Sequence, residues 1–173
     1  MEVKRLVVGP LETNCYLLIK DNHYLIIDPG EEAEKIKKCI TGKVDGILIT
    51  HHHFDHVGAL EELKDYYQVP VYDINNLKEK SYNINNFSFE VIYTFGHTDD
   101  LITYYFKDDR IMFVGDFIFK DSIGRTDLPG GDMSKMQKSL EKIKKYPDDI
   151  TIYPGHGNKT TLGYEKGNNY YFN

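Results

Sequence analysis

The chain has 173 residues, of which 40% are hydrophobic and 28% charged, and its formal net charge is −6 at pH 7. This length and composition predict a single globular domain over residues 1–173, and an acidic chain without a basic stripe argues against a nucleic acid or an anionic membrane as its partner. No run of residues approaches the roughly 20 apolar residues of a membrane span, and the N-terminus has no signal-peptide core, so we expect a cytoplasmic protein.

Strands and helices alternate in the first half of the chain. Apolar runs bounded by Gly, Pro, Asp and Asn predict strands at 3–8, 15–19, 24–28, 44–50 and 69–72. Apolar residues at helical spacing predict helices over 31–40 and 58–67. Cys15 and Cys39 lie in apolar contexts without Cys-x-x-Cys spacing, so we expect buried thiols rather than a disulfide or a thiolate metal site.

The second half of the chain is richer in strands. The polar, Asn-rich segment 73–86 predicts a loop with some helix. Further patterns predict strands at 87–95, 101–106, 110–114 and 150–153, a loop at 121–132 and an amphipathic helix over 133–146. This order of elements predicts an α+β fold in which two sheets carry helices on their outer sides. Residues 168–172 are expected to pack either on a sheet or against another subunit.

The most informative motif is His-His-His-Phe-Asp-His, which directly follows a predicted buried strand. Alternate residues leaving a strand point to the same side, so we expect His51 and His53 to bind one metal ion together, with His52 pointing away. Asp55 and His56 are adjacent and start the next turn, which places them better for a second ion. Five ionisable groups in this position have no structural benefit without a ligand.

Three more candidate ligands follow predicted strands further along the chain. His97 lies in Gly-His-Thr, Asp116 in Val-Gly-Asp and His156 in Pro-Gly-His-Gly. Each ion needs about four N or O ligands, with an open position if the site is catalytic, and the two oxygens of Asp116 can bridge two ions. The sequence therefore predicts two metal sites. The ligands of the first site are His51, His53, His97 and Asp116. The ligands of the second site are Asp55, His56, His156 and Asp116. We expect zinc in both, with iron and manganese as alternatives.

These motifs, in this order and at these separations, resemble the metallo-β-lactamase-fold superfamily over essentially the whole chain. The resemblance implies an αββα sandwich with a binuclear metal site between its two sheets. Within the superfamily the chain looks most like the short glyoxalase II-like hydrolases, because of Thr-Asn-Cys-Tyr at 13–16, Asp-Pro-Gly at 28–30 and Gly-Arg-Thr-Asp-Leu-Pro-Gly-Gly-Asp at 124–132. It implies a metal-dependent hydrolase that cleaves a small thioester, a hydroxyacyl-thiol, with a metal-bound hydroxide.

The resemblance also suggests roles for single residues. Asp55 is expected to be both a ligand and a catalytic residue that orients or deprotonates the nucleophile. Arg125 lies in the Gly-rich loop where glyoxalase II-like enzymes place a cation against the substrate carboxylate, so it is either a substrate anchor or part of a structural salt bridge. Asp28 either holds a metal ligand in position without binding the metal itself or simply forms the Asp-Pro-Gly turn.

The chain also departs from the pattern of the family it resembles. Phe95 precedes Gly-His-Thr where members usually carry Pro, and Asp99 and Asp100 replace the usual small residues. Dizinc lactamases commonly carry Cys where this chain has Asp116, so we do not expect β-lactam hydrolysis. The chain lacks the C-terminal helical domain that holds part of the glutathione in full-length glyoxalase II, so the resemblance leaves the identity of the thiol open.

Two other functions are compatible with these residues. The first is a mononuclear iron oxygenase that resembles persulfide dioxygenases, which needs mainly His51, Asp116 and either His97 or His53 around one iron. The second is a metal-binding module without catalysis, which an open site with a full set of ligands argues against. Metal identity and oxygen dependence distinguish the oxygenase from the hydrolase. In either enzyme the partner is a small-molecule substrate.

Overall fold

The computed structural model describes residues 1–172, and its first half builds a five-stranded sheet with three helices. Strands β1 to β3 are antiparallel neighbours, whereas β4 and β5 join the sheet in parallel. The bounds, in chain order, are β1 Glu2–Val8, β2 Thr13–Lys20, β3 His23–Ile27, α1 Ala33–Lys37, β4 Lys43–Leu48, α2 Phe54–Val57, α3 Leu60–Tyr67 and β5 Val71–Tyr72.

The second half builds a six-stranded sheet in the order β13-β12-β9-β8-β7-β6, together with a separate β10–β11 ribbon. Strands β12 and β9 are parallel, and the other neighbours in this sheet are antiparallel. The bounds are β6 Ser81–Ile84, β7 Phe87–Tyr93, β8 Ile102–Phe106, β9 Ile111–Gly115, β10 Ile118–Phe119, β11 Ser122–Ile123, α4 Met133–Ile143, β12 Thr151–Pro154, β13 Thr160–Thr161, α5 Leu162–Asn168 and a 3₁₀ turn at Tyr170–Phe172.

Apolar side chains divide the molecule into four layers. Successive residues of a strand face opposite sides of its sheet, so Leu18 joins the core between the sheets while Leu17 joins the core beneath α1 and α3. A third core lies between the second sheet and α4, where Met112 packs in the same cluster as Met136 and Leu140. The predicted αββα sandwich with helices on the outside is therefore confirmed.

The edge where strands β4, β9 and β12 end is cross-linked by backbone hydrogen bonds. The Asn14 N–H donates to the Gly155 carbonyl at 2.7 Å, and the Ile102 N–H donates to the Thr50 carbonyl at 2.9 Å. The second of these bonds joins the end of β4 in the first sheet to the start of β8 in the second. Loops that leave the strands at this edge are consequently held at fixed positions.

Several predicted elements differ from the structure. The predicted helix 31–40 is shorter, because Glu32 adopts a left-handed backbone (φ 56°) and its carboxylate accepts a hydrogen bond from the Gly9 N–H. The loop predicted over 73–86 was wrong in part, since it contains β6, which pairs with β7 around a turn with Asn85 at φ 52°. Asp55 and His56 lie in the helix α2 rather than in a turn, and the predicted helix 58–67 begins only at Leu60.

Cys15 is buried as expected, whereas Cys39 is only partly buried, and both thiols are free. At the C-terminal end, Phe172 is buried in the core between the second sheet and α4, whereas the Tyr170 side chain is 82% exposed. Among the described residues, no helix is long and apolar enough to cross a membrane.

Candidate metal centre

The first cluster consists of His51, His53, His97 and Asp116, whose candidate ligand atoms lie within 4.8 Å of one another. The Nδ1 atom of His53 is 3.2 Å from His51 Nε2 and 3.0 Å from His97 Nε2. An Asp116 oxygen, Oδ2, lies 3.6 Å from His97 Nε2. Nitrogen ligands about 2.0–2.1 Å from a tetrahedral zinc ion would lie roughly 3.3 Å apart, so this spacing fits one such ion.

The second cluster consists of Asp55, His56 and His156. The Oδ2 atom of Asp55 is 3.2 Å from His156 Nε2 and 3.5 Å from His56 Nε2. Asp116 reaches this cluster too, with Oδ1 3.3 Å from His56 Nε2 and Oδ2 3.5 Å from His156 Nε2. The structure thus brings together all seven predicted ligands, with Asp116 between the two clusters.

Two buried atoms at this junction support the interpretation as a metal site. His56 Nε2 and Asp116 Oδ1 face each other at 3.3 Å, yet neither has a hydrogen-bond partner. Buried polar atoms nearly always have a partner, because leaving one unsatisfied costs about 1–3 kcal/mol. A cation between the two atoms would satisfy both.

Hydrogen bonds from outside fix the orientation of the imidazole rings. His97 Nδ1 donates to the Arg125 carbonyl oxygen at 2.7 Å, and His156 Nδ1 donates to the Leu11 carbonyl oxygen at 3.0 Å. In each ring the bonded Nδ1 leaves Nε2 facing the cluster. This is the arrangement in which metal-ligating histidines are usually held.

Asp28 holds one ligand of each cluster. Its Oδ2 accepts hydrogen bonds from His56 Nδ1 at 2.9 Å and from the Thr50 hydroxyl at 2.6 Å, while the Thr50 hydroxyl oxygen lies 3.1 Å from His51 Nδ1. Although Asp28 lies close enough to His51 and His56 to form a third candidate group, its oxygens are already engaged with Thr50 and His56. Asp28 therefore both forms the turn and contacts a candidate ligand, and we propose that it supports that ligand.

Replacing Asp28 with Asn is expected to weaken metal binding by roughly 10- to 100-fold, because loss of an outer-shell carboxylate commonly costs that much. Asn suits this test because it tolerates the left-handed backbone that Asp28 adopts (φ 49°), so the turn itself is preserved. Chelator competition on the variant and the wild type gives the dissociation constants. Unchanged dissociation constants would show that Asp28 acts only as a turn residue.

Burial and neighbouring charge act differently on the two clusters. Burial, reinforced by the nearby His56, holds the pKa of His51 well below its usual value, so this imidazole is neutral and its lone pair is available. Burial also opposes protonation of His56, but the neighbouring carboxylates of Asp116 and Asp28 outweigh it and raise the pKa of His56 to about 10. Metal uptake next to His56 at neutral pH must therefore displace a proton, and its affinity falls as the pH is lowered.

The shared carboxylate is kept ionised by the same interactions. Burial would raise the pKa of Asp116, but the neighbouring imidazoles of His156 and His56 outweigh it and hold this pKa well below the usual range. In turn, Asp116 and Asp55 overcome the effect of burial on His156 and raise its pKa to about 9. The carboxylates therefore create a field that favours positive charge at this point.

Residues beyond the predicted set also contribute to the site. Thr13, part of the Thr-Asn-Cys-Tyr motif, donates its hydroxyl hydrogen to Asp55 Oδ2 at 2.8 Å. His52 points away as predicted and meets two carboxylates instead. The Arg125 guanidinium is exposed and pairs with Asp127 through two hydrogen bonds of 2.7 and 2.8 Å.

Comparison with known protein sequences gives a consistent picture. A model of the metallo-beta-lactamase superfamily matches residues 8–81 and 73–156. The probable metallo-hydrolase YqgX of Bacillus subtilis (strain 168) is 34% identical, over 100% of this chain and 98% of that protein. The hydroxyacylglutathione hydrolase GloC of Haemophilus influenzae is 31% identical, over 100% of this chain and 99% of that protein.

Solved structures show the same likeness. BLEG-1, described as a B3 metallo-beta-lactamase, superposes with a TM-score of 0.95 at 32% identity, covering 99% of both chains. TTHA1623 in a di-iron-bound form gives 0.89 at 30%, covering 97% of this chain and 99% of the other. ETHE1 from Myxococcus xanthus gives 0.91 at 26%, covering 98% and 84%. With a matching family model and relatives above 30% identity along its whole length, this chain belongs to the metallo-β-lactamase superfamily.

Proposed function

We propose that this protein is a binuclear metal-dependent hydrolase of a small thioester. The observation that carries the proposal is the pair of adjacent ligand clusters that share Asp116. Two divalent cations, zinc in the first instance, would supply Lewis acidity and lower the pKa of a bound water toward neutrality. A relative named as a hydroxyacylglutathione hydrolase, which aligns with 100% of this chain and over 99% of its own length, supports a thioester as the class of substrate.

The hydrogen bonding of the cluster favours a leaving group that needs little protonation. In His97 and His156 one ring nitrogen is bonded to a backbone carbonyl and the other faces the cluster, so with both metals bound neither ring would carry a proton to donate as a general acid. His56 is held in the same way by Asp28. A thiolate leaves without a proton, whereas an alkoxide or an amine requires one.

Asp55 is the proposed catalytic residue of this site. Its Oδ2 accepts the Thr13 hydroxyl hydrogen at 2.8 Å, which fixes the carboxylate in one orientation. Burial would raise the pKa of Asp55, but hydrogen bonding with His156 and the charge on His56 outweigh it and hold this pKa below its usual value. Asp55 is therefore ionised at neutral pH and can accept a hydrogen bond from the nucleophilic water.

Arg125 is the proposed anchor for a carboxylate on the substrate. Its guanidinium already holds one carboxylate, Asp127, in a bidentate and exposed pair, which is the geometry that a substrate carboxylate would take over. Replacing Arg125 with Ala is expected to raise KM for a carboxylate-bearing thioester by roughly five- to twentyfold with kcat nearly unchanged. Steady-state kinetics on charged and uncharged thioesters measure this.

Another loop of the protein offers a matched control for Arg125. Arg110 forms a similarly exposed pair with Asp149 on the turn between β8 and β9, in which its Nη1 donates to both carboxylate oxygens at 2.8 and 2.7 Å. Asn is the suitable replacement there, because Arg110 has φ 55°. Arg110→Asn should leave KM unchanged. An unchanged KM in Arg125→Ala as well would make the Arg125–Asp127 pair purely structural.

A mononuclear iron oxygenase is the second candidate function. In its favour, the first cluster alone supplies histidines and a carboxylate for one iron. The similar TTHA1623 structure is a di-iron-bound form, so it supports iron as the metal but two ions rather than one. Elemental mass spectrometry of untagged protein purified without chelators tests both proposals. Two metals per chain, with hydrolysis of thioesters from a panel of thiols, support the hydrolase. One iron per chain with oxygen uptake on adding a persulfide supports the oxygenase. No metal, even after reconstitution, rejects the site.

A further inference from the structure

Two carboxylates hold the backbone on either side of His51. The Thr50 N–H donates to Asp28 Oδ1 at 2.8 Å, and the His52 N–H donates to Asp100 Oδ2 at 3.1 Å. His51 therefore lies between two residues whose backbone is tied to acidic side chains. Asp28 contacts a ligand histidine directly, whereas Asp100 acts on a residue, His52, that faces away from the ligands.

The His52 side chain bridges two acids from different loops. Its Nδ1 atom is 2.6 Å from Asp100 Oδ2, and its Nε2 atom is 3.1 Å from Asp73 Oδ2. Asp73 is itself held in place, because its Oδ1 accepts a hydrogen bond from the Asn75 N–H at 2.8 Å. A ring with a carboxylate oxygen at each nitrogen is held at both ends and cannot rotate without losing both contacts.

This bridge spans the two loops that carry the histidines of the first cluster. Asp100 and His97 belong to the loop between β7 and β8, while His51 and His53 belong to the loop after β4. His53 Nδ1 lies 3.0 Å from His97 Nε2 across the gap between these loops, and 3.2 Å from His51 Nε2 on its own loop. The relative position of the two loops therefore sets the geometry of the first cluster.

We propose that Asp100, acting through His52 with Asp73 as the second anchor, is a positioning residue for the first metal site. The inference rests on the proposed function only in that the first cluster must bind a metal. It gives a role to the two features that the ligand set leaves unexplained: the middle histidine of the motif and the acidic residue that replaces a small one after Gly-His-Thr. Loss of the bridge should loosen the first cluster and spare the second.

The test compares Asp100→Asn with Asp99→Asn, since Asp99 is the exposed neighbour and provides a matched loss of charge. Zinc affinities come from chelator competition on wild type and both variants, and the ligand geometry comes from the visible absorption of the cobalt(II)-loaded proteins. We expect Asp100→Asn to weaken one of the two zinc ions by roughly 10- to 100-fold, to leave the other within about threefold and to alter the cobalt spectrum. Asp99→Asn should match the wild type in all three.

A third variant, His52→Ala, keeps the proposal testable if Asp100→Asn does not fold. If the two residues act as one unit, the double variant should lose no more affinity than either single variant. The proposal is overturned if Asp100→Asn binds both zinc ions as the wild type does, if Asp99→Asn loses as much, or if the two losses simply add. A wild-type protein that binds no metal would instead reject the proposed function, and the inference with it.

Discussion

Replacing Asp116 with Asn is expected to lower kcat/KM by about a thousandfold or more and to leave at most one metal ion per chain. Asp116 contacts His97 of the first cluster and both His56 and His156 of the second, at 3.3 to 3.6 Å. The amide of Asn offers one oxygen and no negative charge, so it cannot bridge two cations. Losing several kcal/mol of charge stabilisation in the transition state corresponds to about three decades in rate.

The control for this variant is Asp65→Asn, an exposed position on helix α3. This substitution also removes one negative charge, but from an exposed helix surface, and it should leave metal content and kinetics unchanged. Elemental mass spectrometry and thioester kinetics are measured on both variants, with circular dichroism as a check that each is folded. An Asp116→Asn protein that retains two metals and activity within tenfold of the wild type contradicts the shared-ligand interpretation.

The clustering of the proposed ligands was predictable because each lies in a loop or short helix that follows a strand. Asp116 comes directly after β9, and His156 comes two residues after β12, which is the parallel neighbour of β9 in the sheet. Parallel strands end at the same edge, so residues that leave them are brought together by topology alone. The pairing of His51 with His53 follows in the same way from the alternation of side chains along an extended segment.

The supporting contacts of the site could not be predicted, because they join distant parts of the chain. Leu11 supplies the carbonyl oxygen for His156 across 145 residues, and Thr13 reaches Asp55 across 42. Nothing in the local pattern of the β1–β2 turn indicates which loop it will meet. The same holds for His52, whose orientation away from the ligands was predictable, although its two carboxylate partners were not.

The errors in secondary structure also have local causes. In the Asn-rich segment, strand β6 has alternately exposed and half-buried residues and no strong apolar run, and it is stabilised by pairing with β7. Such an edge strand gains its stability from its neighbour more than from its own composition. Helix α2 has only four residues, too few for a periodic signal, and it depends on packing rather than on intrinsic helix propensity.

Gly155→Ala is expected to lower activity by about a hundredfold or more and to remove metal from the second site, although the substitution adds a single methyl group. A Cβ at this position would lie 2.2 Å from Asp116 Oδ1 and 2.7 Å from His56 Cε1, so the methyl group would push two ligands out of place. Displacing catalytic groups by about 1 Å can cost a hundredfold in rate. The backbone bonds of Gly155, which an alanine can also make, should keep the loop in position.

Gly167→Ala provides the matched control, because a Cβ there would meet nothing within 4 Å and the residue lies inside helix α5. That variant should bind two metals, keep full activity and unfold at a slightly higher temperature, since Ala is favoured over Gly within helices by roughly 0.5–1 kcal/mol. Metal content, kinetics and thermal unfolding are compared for both variants. If Gly155→Ala also keeps both metals and full activity, Asp116 and His56 do not approach each other as the structure shows. The need for glycine at this position thus tests the geometry of the second site without altering any ligand.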